Sequence, residues 1–126
     1  MSAPKGHNPG FQALVNNAKS RIQEINIEQY KQMVASKDPH LLIDIREESE
    51  WASGHVAGAM QLGKGIIERD IETKVPRKDT KLVLYCGGGF RSALSADALR
   101  QMGYSNAISL DGGWRALQNS GLPIEK

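Results

Sequence analysis

Two short apolar runs constrain the fold of this chain more than any other feature of its sequence. Residues 41–45 read Leu-Leu-Ile-Asp-Ile and residues 81–85 read Lys-Leu-Val-Leu-Tyr, and a weaker run covers residues 107–110. The runs are continuous rather than alternating, which is typical of parallel strands that are buried on both faces. Helical patterns over residues 66–71 and 93–102 separate them. Strands that alternate with helices predict a parallel, doubly wound α/β sheet with right-handed crossovers.

Two further helices are predicted before the first apolar run. Apolar residues recur at helical spacing over residues 11–25, which predicts an amphipathic N-terminal helix that covers the core. Asn26 is placed to cap a second helix over about residues 27–35. Residues 1–10 are polar and rich in proline and glycine, so we expect a mobile N-terminal tail there.

Length and composition set the scale of the domain and exclude several functional classes. A chain of 126 residues builds one buried core, so we expect a single domain over residues 11–126. Its 16 basic residues are spread among 14 acidic ones without a basic patch, so nucleic-acid binding is not expected. No apolar stretch approaches the length of a membrane span, and a single cysteine excludes an intrachain disulfide framework. We therefore expect a cytoplasmic protein in a reducing compartment.

The only cysteine, Cys86, lies in the most informative segment of the chain. It follows the second apolar run and precedes three consecutive glycines, Gly87, Gly88 and Gly89. Glycines adopt backbone angles that other residues avoid, so successive N–H groups can turn inward around one point at the start of the next helix. Such a ring of donors favours an anion, and it would lower the pKa of a thiol below about 8.5. These residue types together indicate a reactive thiolate.

The residues alone leave two other interpretations of this segment open. A lone cysteine after a buried strand is often an inert core residue, although such a residue would not need three flanking glycines. Glycine-rich turns between a strand and a helix also bind nucleotide phosphates, but the chain has neither a GxGxxG nor a Walker A pattern.

Four segments, taken in order, resemble the single-domain rhodanese-like sulfurtransferases. Residues 44–46 have the Asp-x-Arg ending of the first core strand, and residues 54–59, which follow a tryptophan, read Gly-His-Val-x-Gly-Ala. Residues 86–91 have the CxxGxR form of the active-site loop, and Asp-Gly-Gly-Trp at residues 111–114 precedes a Gly-Leu-Pro. Each segment alone is a weak signal, but the four in this order are highly specific. The resemblance covers about residues 22–123.

The resemblance implies a single α/β domain with a central, mainly parallel sheet of about five strands and helices on both faces. It also implies that Cys86 takes a sulfane sulfur from thiosulfate, a small persulfide or a protein persulfide, and passes it to cyanide or a thiol through a persulfide intermediate. The loop of residues 87–91 is expected to bind the substrate. No metal, flavin or nucleotide cofactor is required, and a monomer or weak dimer is expected.

Loop length separates this expected function from a related one. Four residues lie between Cys86 and Arg91, whereas related phosphatases of the same fold carry five and form a ring wide enough for a phosphoryl group. A tighter ring suits sulfur. Phosphatase activity is therefore rejected, and arsenate reduction is not expected.

Basic and aromatic side chains near the loop have supporting roles in the resemblance. Arg46 is assigned to the binding of an anionic donor at the pocket, and the alternative is a structural ion pair with Asp44 or a surface glutamate. Arg91 is expected mainly to fix the shape of the loop, with a secondary electrostatic effect on the thiolate. Phe90 is expected to form an apolar wall beside the sulfur. His55 is expected to buttress the fold rather than to act as a catalytic base.

The glycines after Cys86 depart from members tuned for thiosulfate, which often carry basic side chains there. The pocket therefore offers fewer charged contacts to a small dianion, and a persulfide is the favoured physiological donor. Two alternatives to an enzyme remain. One is a sulfur-carrier or redox-signalling module, in which Cys86 accepts sulfur from a partner without turnover of small donors. The other, a catalytically silent binding module, is disfavoured because silent members usually lose the cysteine.

Overall fold

The computed structural model describes residues 8–126. The helices are α1 (Pro9–Lys19), α2 (Ile27–Ala35), α3 (Glu48–Ser53), α4 (Ile67–Lys74), α5 (Phe90–Gln101) and α6 (Gly113–Gln118). The strands are β1 (Gln23–Ile25), β2 (Leu41–Asp44), β3 (His55–Val56), β4 (Met60–Gln61), β5 (Leu82–Tyr85), β6 (Ala107–Leu110) and β7 (Ile124–Glu125). Of the mobile tail expected over residues 1–10, residues 1–7 lie outside the described residues, and Pro9 and Gly10 belong to α1.

Five strands form one parallel sheet, which confirms the predicted architecture. Their order is β1-β6-β5-β2-β4, and every neighbouring pair runs parallel. The chain places β4 on one side of β2 and then returns to place β5 on the other side. The direction of strand addition therefore reverses between β2 and β5. In open α/β sheets, ligands bind outside the carboxyl ends of the strands at such a point.

Helices cover both faces of the sheet, and the residues of β5 pack alternately against one face and the other. Leu82 and Leu84 belong to a core cluster that they share with α4 and α5. Val83 and Tyr85 belong to a second cluster that they share with α2 and α6. All four side chains are fully buried. A strand buried on both faces has no polar face, so the sequence does not alternate.

The N-terminal helix is shorter than the sequence pattern predicts. We predicted one helix over residues 11–25, but α1 is followed by β1, which pairs with β6 at the edge of the sheet. Between them Arg21 donates from Nε and Nη2 to the Asp97 carboxylate of α5, at 3.1 and 2.7 Å, and holds the turn in place. Ile22 and Ile25 fit both a helical pattern and an edge strand, so the apolar pattern could not locate the helix end.

The other predicted elements are present, with small shifts at their ends. Asn26 caps α2 by accepting a hydrogen bond from the Gln29 N–H at 2.8 Å. Helix α5 begins at Phe90 rather than at Ala93. The pattern did not predict β3, β4, β7, α3 or α6, because elements of two to six residues are too short to show a period. Within residues 8–126, no helix is long and apolar enough to cross a membrane.

Candidate active site

Cys86 directly follows β5, at the carboxyl edge where strand addition reverses. The residue is 1% exposed. Its neighbour Tyr85 pairs in register with Asp44, the last residue of β2, so the ends of both strands meet beside the sulfur. Helix α5 begins at Phe90, which leaves a loop of only three glycines between the thiol and the helix. The sequence predicted the thiol at the junction between a buried strand and a helix, and in the structure Cys86 lies between β5 and α5.

Two backbone amides point at the Cys86 sulfur. The Gly89 amide donates to Sγ at 3.1 Å and the Ser92 amide at 3.4 Å. The Ser92 hydroxyl lies 3.6 Å from Sγ and 2.8 Å from the Ser109 hydroxyl. In the thiol form it accepts from Sγ–H, and once the thiol ionises the same hydroxyl can donate to the thiolate. The loop and the first turn of α5 thus surround the sulfur with donors.

The three loop glycines serve different purposes, and only one of them has a backbone angle that other residues avoid. Gly89 has a φ of +101°, and a Cβ there would come within 3.3 Å of the backbone at residues 110–112. Gly87 and Gly88 are not among the glycines with positive φ, and a Cβ at either would make only ordinary contacts. Glycine is therefore required by conformation at residue 89 alone. At the other two positions its effect is to leave space beside the sulfur.

Burial and hydrogen bonding oppose each other at the thiol. Burial raises the pKa of Cys86, because it disfavours the charged form. The amide and hydroxyl of Ser92 and the amides of Gly89 and Gly88 lower the pKa by more, so that it lies below the ordinary value for cysteine. The thiolate is therefore populated at lower pH than in an exposed cysteine. Burial in apolar surroundings alone would instead raise the pKa of a cysteine.

The Ser92 hydroxyl provides a test of this balance. Ser92→Ala removes one donor to the thiolate, so we expect the midpoint of the pH profile for iodoacetamide alkylation of Cys86 to move up. Because the alkylation rate follows the thiolate and falls as pH drops through its pKa, the variant should react roughly three- to tenfold more slowly below the midpoint. Ser95→Ala is the matched control, since Ser95 lies on the same helix and its buried hydroxyl has no partner within residues 8–126. An unmoved midpoint in Ser92→Ala, or equal shifts in both variants, would contradict the account.

Helix α6 braces the loop from behind. The Trp114 amide donates to the Cys86 carbonyl at 2.7 Å, and the Arg115 amide donates to the Gly87 carbonyl at 3.2 Å. The chain reaches this position through positive φ values of +87° at Gly112 and +48° at Gly113, where a Cβ would overlap the Cys86 carbonyl oxygen. The peptide bonds are trans, so anchoring these two carbonyls turns the N–H groups of the same peptides away from α6. The Asp-Gly-Gly-Trp segment therefore orients the loop.

Arg91 ties the other end of the loop to α3. Its Nη1 and Nη2 donate to the two carboxylate oxygens of Glu50 at 3.1 and 3.2 Å. This pairing raises the pKa of Arg91 and lowers that of Glu50, and the charge of Cys86 also favours the Arg91 cation. The contacts support the expected role in fixing the shape of the loop, with a positive charge close to the sulfur.

Arg46, which we assigned to donor binding, is not among the residues that line the cavity at Cys86. Its guanidinium donates to the Asp44 carboxylate at 2.7 to 3.1 Å and to the Gly54 carbonyl at 2.7 Å. It also lies 4.5 Å from the centre of the Trp114 ring. Arg46 and Asp44 are both buried, and a buried carboxylate needs such a partner. Of the two roles considered for Arg46, the contacts support the structural ion pair.

His55 holds α3 against the C-terminal end of the chain. Its ring stacks on Trp51 with the centroids 3.4 Å apart. Nδ1 lies 3.0 Å from the Trp51 carbonyl oxygen and Nε2 lies 3.3 Å from the Glu125 carboxylate. These contacts support the buttressing role expected from the sequence.

A cavity of about 290 Å³ opens at Cys86. Phe90 is part of its wall, and two residues that the sequence did not single out, Phe11 of α1 and Arg115 of α6, also line it. The Phe11 and Phe90 rings lie 6.4 Å apart between centroids. The sequence gives little sign of either new residue, because Phe11 is one of several apolar positions on α1. The one available signal for Arg115 is its place directly after the Asp-Gly-Gly-Trp segment.

Comparison with known proteins finds relatives that cover most of the chain. The family model of the rhodanese-like domain matches residues 26–120. A sulfurtransferase of Allochromatium vinosum is 37% identical over 103 residues, which cover 82% of this chain and 94% of that protein. Seven other curated relatives are longer, and the chain spans 18% to 52% of their length.

Two solved structures share the fold and carry descriptions that point to different chemistries. A protein of unknown function from Rhodopseudomonas palustris, described as a possible tyrosine phosphatase, has a TM-score of 0.82 at 29% identity and covers 98% of this chain and 100% of its own. A thiosulfate sulfurtransferase from Pseudomonas aeruginosa has a TM-score of 0.73 at 28% identity. That match covers 83% of this chain and 20% of the Pseudomonas chain.

Proposed function

The chain belongs to the rhodanese-like domain family, and we propose that it is a sulfurtransferase in which Cys86 carries the transferred sulfur. The donor is thiosulfate or a persulfide, and the acceptor is cyanide or a thiol. One observation carries the proposal: the Cys86 sulfur accepts two backbone N–H bonds and lines a cavity large enough for a small molecule. A family resemblance alone would not require a cysteine with a lowered pKa at that position.

The reaction consists of two displacements at sulfur. In the first, the Cys86 thiolate attacks the sulfane sulfur of the donor, a new S–S bond forms and the S–S bond of the donor breaks. When thiosulfate is the donor, the leaving group is sulfite. When an organic persulfide is the donor, the leaving group is the corresponding thiolate. In the second, the acceptor attacks the outer sulfur and the Cys86 thiolate leaves, so that cyanide becomes thiocyanate. Charge is conserved in both steps. A lowered pKa helps twice, because Cys86 is the nucleophile in one step and the leaving group in the other.

The shape of the loop suits the persulfide intermediate. The outer sulfur of a persulfide carries the negative charge one atom farther from Cβ than a thiolate does. Gly87 and Gly88 line the cavity without side chains and therefore leave space for a second sulfur beside Cys86. The Arg91 cation and the loop amides stabilise its charge.

Phosphatase activity is the rival function, because the structural neighbour from Rhodopseudomonas palustris carries that description. Two features of the loop argue against it here. Only four residues separate Cys86 from Arg91. Arg91 is also paired with Glu50 through both terminal nitrogens, so its guanidinium is already engaged by a carboxylate. These features favour a single sulfur atom over a phosphoryl group.

Parallel assays of the two activities test the proposal. We expect thiocyanate formation from cyanide and a sulfur donor, with an organic persulfide reacting faster than thiosulfate. With p-nitrophenyl phosphate, we expect no release of p-nitrophenol above the buffer rate. Phosphate ester hydrolysis without sulfur transfer would overturn the proposal. A protein that takes up one sulfur per chain but forms no thiocyanate would instead be a sulfur carrier, and this result would also contradict the enzyme.

A further inference from the structure

Arg115 brings a positive charge to the cavity at Cys86. It belongs to the first turn of α6, and its amide is bonded to the Gly87 carbonyl at 3.2 Å, so its backbone is fixed beside the loop. The residue is exposed and lines the cavity. Within residues 8–126 the guanidinium has no ion pair or hydrogen bond with another side chain. It is therefore available to a ligand that enters the cavity.

The other two arginines near the loop are already engaged. Arg46 is paired with the buried Asp44 and lies away from the cavity, and Arg91 is paired with Glu50. Among the described residues, an anion that approaches Cys86 therefore meets one arginine, Arg115, whose donors are not engaged by a carboxylate. A guanidinium binds planar and tetrahedral oxyanions through two donors at once, so a carboxylate and a sulfonate both suit it.

The wall formed by Phe11 and Phe90 adds a second property to the cavity. The centroids of the two rings lie 6.4 Å apart, and both residues line the cavity that opens at Cys86. Apolar surface of this kind is stabilised by contact with a short carbon chain, whereas inorganic thiosulfate offers only sulfur and oxygen. The cavity therefore combines a sulfur-accepting thiol, an apolar wall and a cation.

We propose that Arg115 binds the anionic group of the sulfur donor, and that the site favours a small organic persulfide whose carboxylate lies a few atoms from the sulfane sulfur. This inference rests on the proposed sulfurtransferase function. The sulfonate of thiosulfate shares the same anionic chemistry, so it is the second source that the experiment must separate. Arg115 acts on the affinity for the donor, and Cys86 alone forms and breaks the S–S bonds.

Single-turnover sulfur loading of Cys86 tests the proposal. The donors are 2-carboxyethyl persulfide, its methyl ester and thiosulfate, and the fraction of chains one sulfur atom heavier is followed with time by intact mass. Arg115→Ala should lower the second-order rate constant for the carboxylate donor about five- to tenfold, whereas the rate for the ester should change by less than about twofold. Arg115→Lys should recover part of the loss. Arg77→Ala is the matched control, because Arg77 is an exposed arginine before β5, at the opposite edge of the sheet, and its partner is Asp79.

The outcomes separate this inference from the function on which it rests. Equal losses with the acid and the ester would show that Arg115 acts only on the structure of the loop, and no loss with either would show that it does not meet the donor. Both results overturn the inference. A loss with thiosulfate as well as the carboxylate supports a site for both anions, and a loss with the carboxylate alone supports the organic donor. If no donor loads the wild-type chain, the proposed function itself fails.

Discussion

Replacing Cys86 with serine is expected to lower thiocyanate formation about a thousandfold or more, which is the size of effect seen when a catalytic nucleophile is removed. A serine hydroxyl is not ionised near neutral pH, and an alkoxide does not form the persulfide that the second step needs. Because Cys86 is the only cysteine of the chain, the variant also has no other thiol to take its place. The measurement is the initial rate of thiocyanate formation with saturating donor and cyanide.

A loss of activity in Cys86→Ser identifies the nucleophile only if the variant is folded. Serine is close in size to cysteine, and the amides of Gly89 and Ser92 that now bond the sulfur can bond a hydroxyl oxygen. We therefore expect a cooperative thermal unfolding transition like that of the wild-type chain. A folded variant that keeps more than about one tenth of the wild-type rate would exclude Cys86 as the nucleophile.

Gly113→Ala is expected to have the largest effect on stability and to reduce sulfur loading as well. A Cβ at this position would overlap the Cys86 carbonyl oxygen and would lie 3.0 Å from the Gly87 carbonyl carbon, in a backbone with a φ of +48°. To relieve the contact, α6 and the loop must move apart, which weakens the bond from the Trp114 amide to the Cys86 carbonyl. We expect the free energy of unfolding to fall by about 3 kcal/mol or more in denaturant titrations.

Gly121→Ala is the control for the backbone angle alone. Gly121 also has a positive φ, +87°, but among residues 8–126 no heavy atom beyond its chain neighbours lies within 4 Å of the position that a Cβ would take. Its replacement should cost only the strain of the left-handed conformation, about 1 kcal/mol, and should leave sulfur loading unchanged. If Gly113→Ala and Gly121→Ala lose similar amounts of unfolding free energy and of sulfur loading, the contact between α6 and the loop contributes neither to stability nor to the reactivity of Cys86.

The parts of the fold that are predictable from the sequence are those with local physical causes. The β5 run is recognisable because burial on both faces leaves no polar residue in it, and Asn26 is recognisable because a helix start needs an acceptor for a free N–H. The end of α1 is different. It depends on the pairing of β1 with β6 and on the bond from Arg21 to Asp97, which join residues more than 70 positions apart. No pattern within residues 11–25 contains that information.

The residues of the candidate site likewise divide into those that local sequence predicts and those that depend on contacts distant in sequence. The position of Cys86 and of the glycine-rich turn follows from one short segment, in which strand, turn and helix succeed one another. That residue 89 alone requires glycine is visible only from its φ and from the nearby backbone of residues 110–112. The role of Arg46 could be narrowed to two possibilities but not decided, because both use the same residue and only the contacts with Asp44 and Gly54 separate them. Phe11 and Arg115 reach the cavity through the packing of α1 and α6. Phe11 does not differ in sequence from the other apolar positions of α1, and the only sequence signal for Arg115 is its place directly after the Asp-Gly-Gly-Trp segment.

The central claim is that Cys86 carries the sulfur between donor and acceptor, and one measurement tests it directly. The wild-type chain is mixed with an organic persulfide without acceptor, its intact mass is recorded and the modified peptide is identified, and cyanide is then added. We expect a gain of one sulfur atom on the peptide that contains Cys86, followed by return to the starting mass with release of one equivalent of thiocyanate. Thiocyanate formed while the peptide remains unmodified, or a sulfur adduct that cyanide does not remove, would contradict the account.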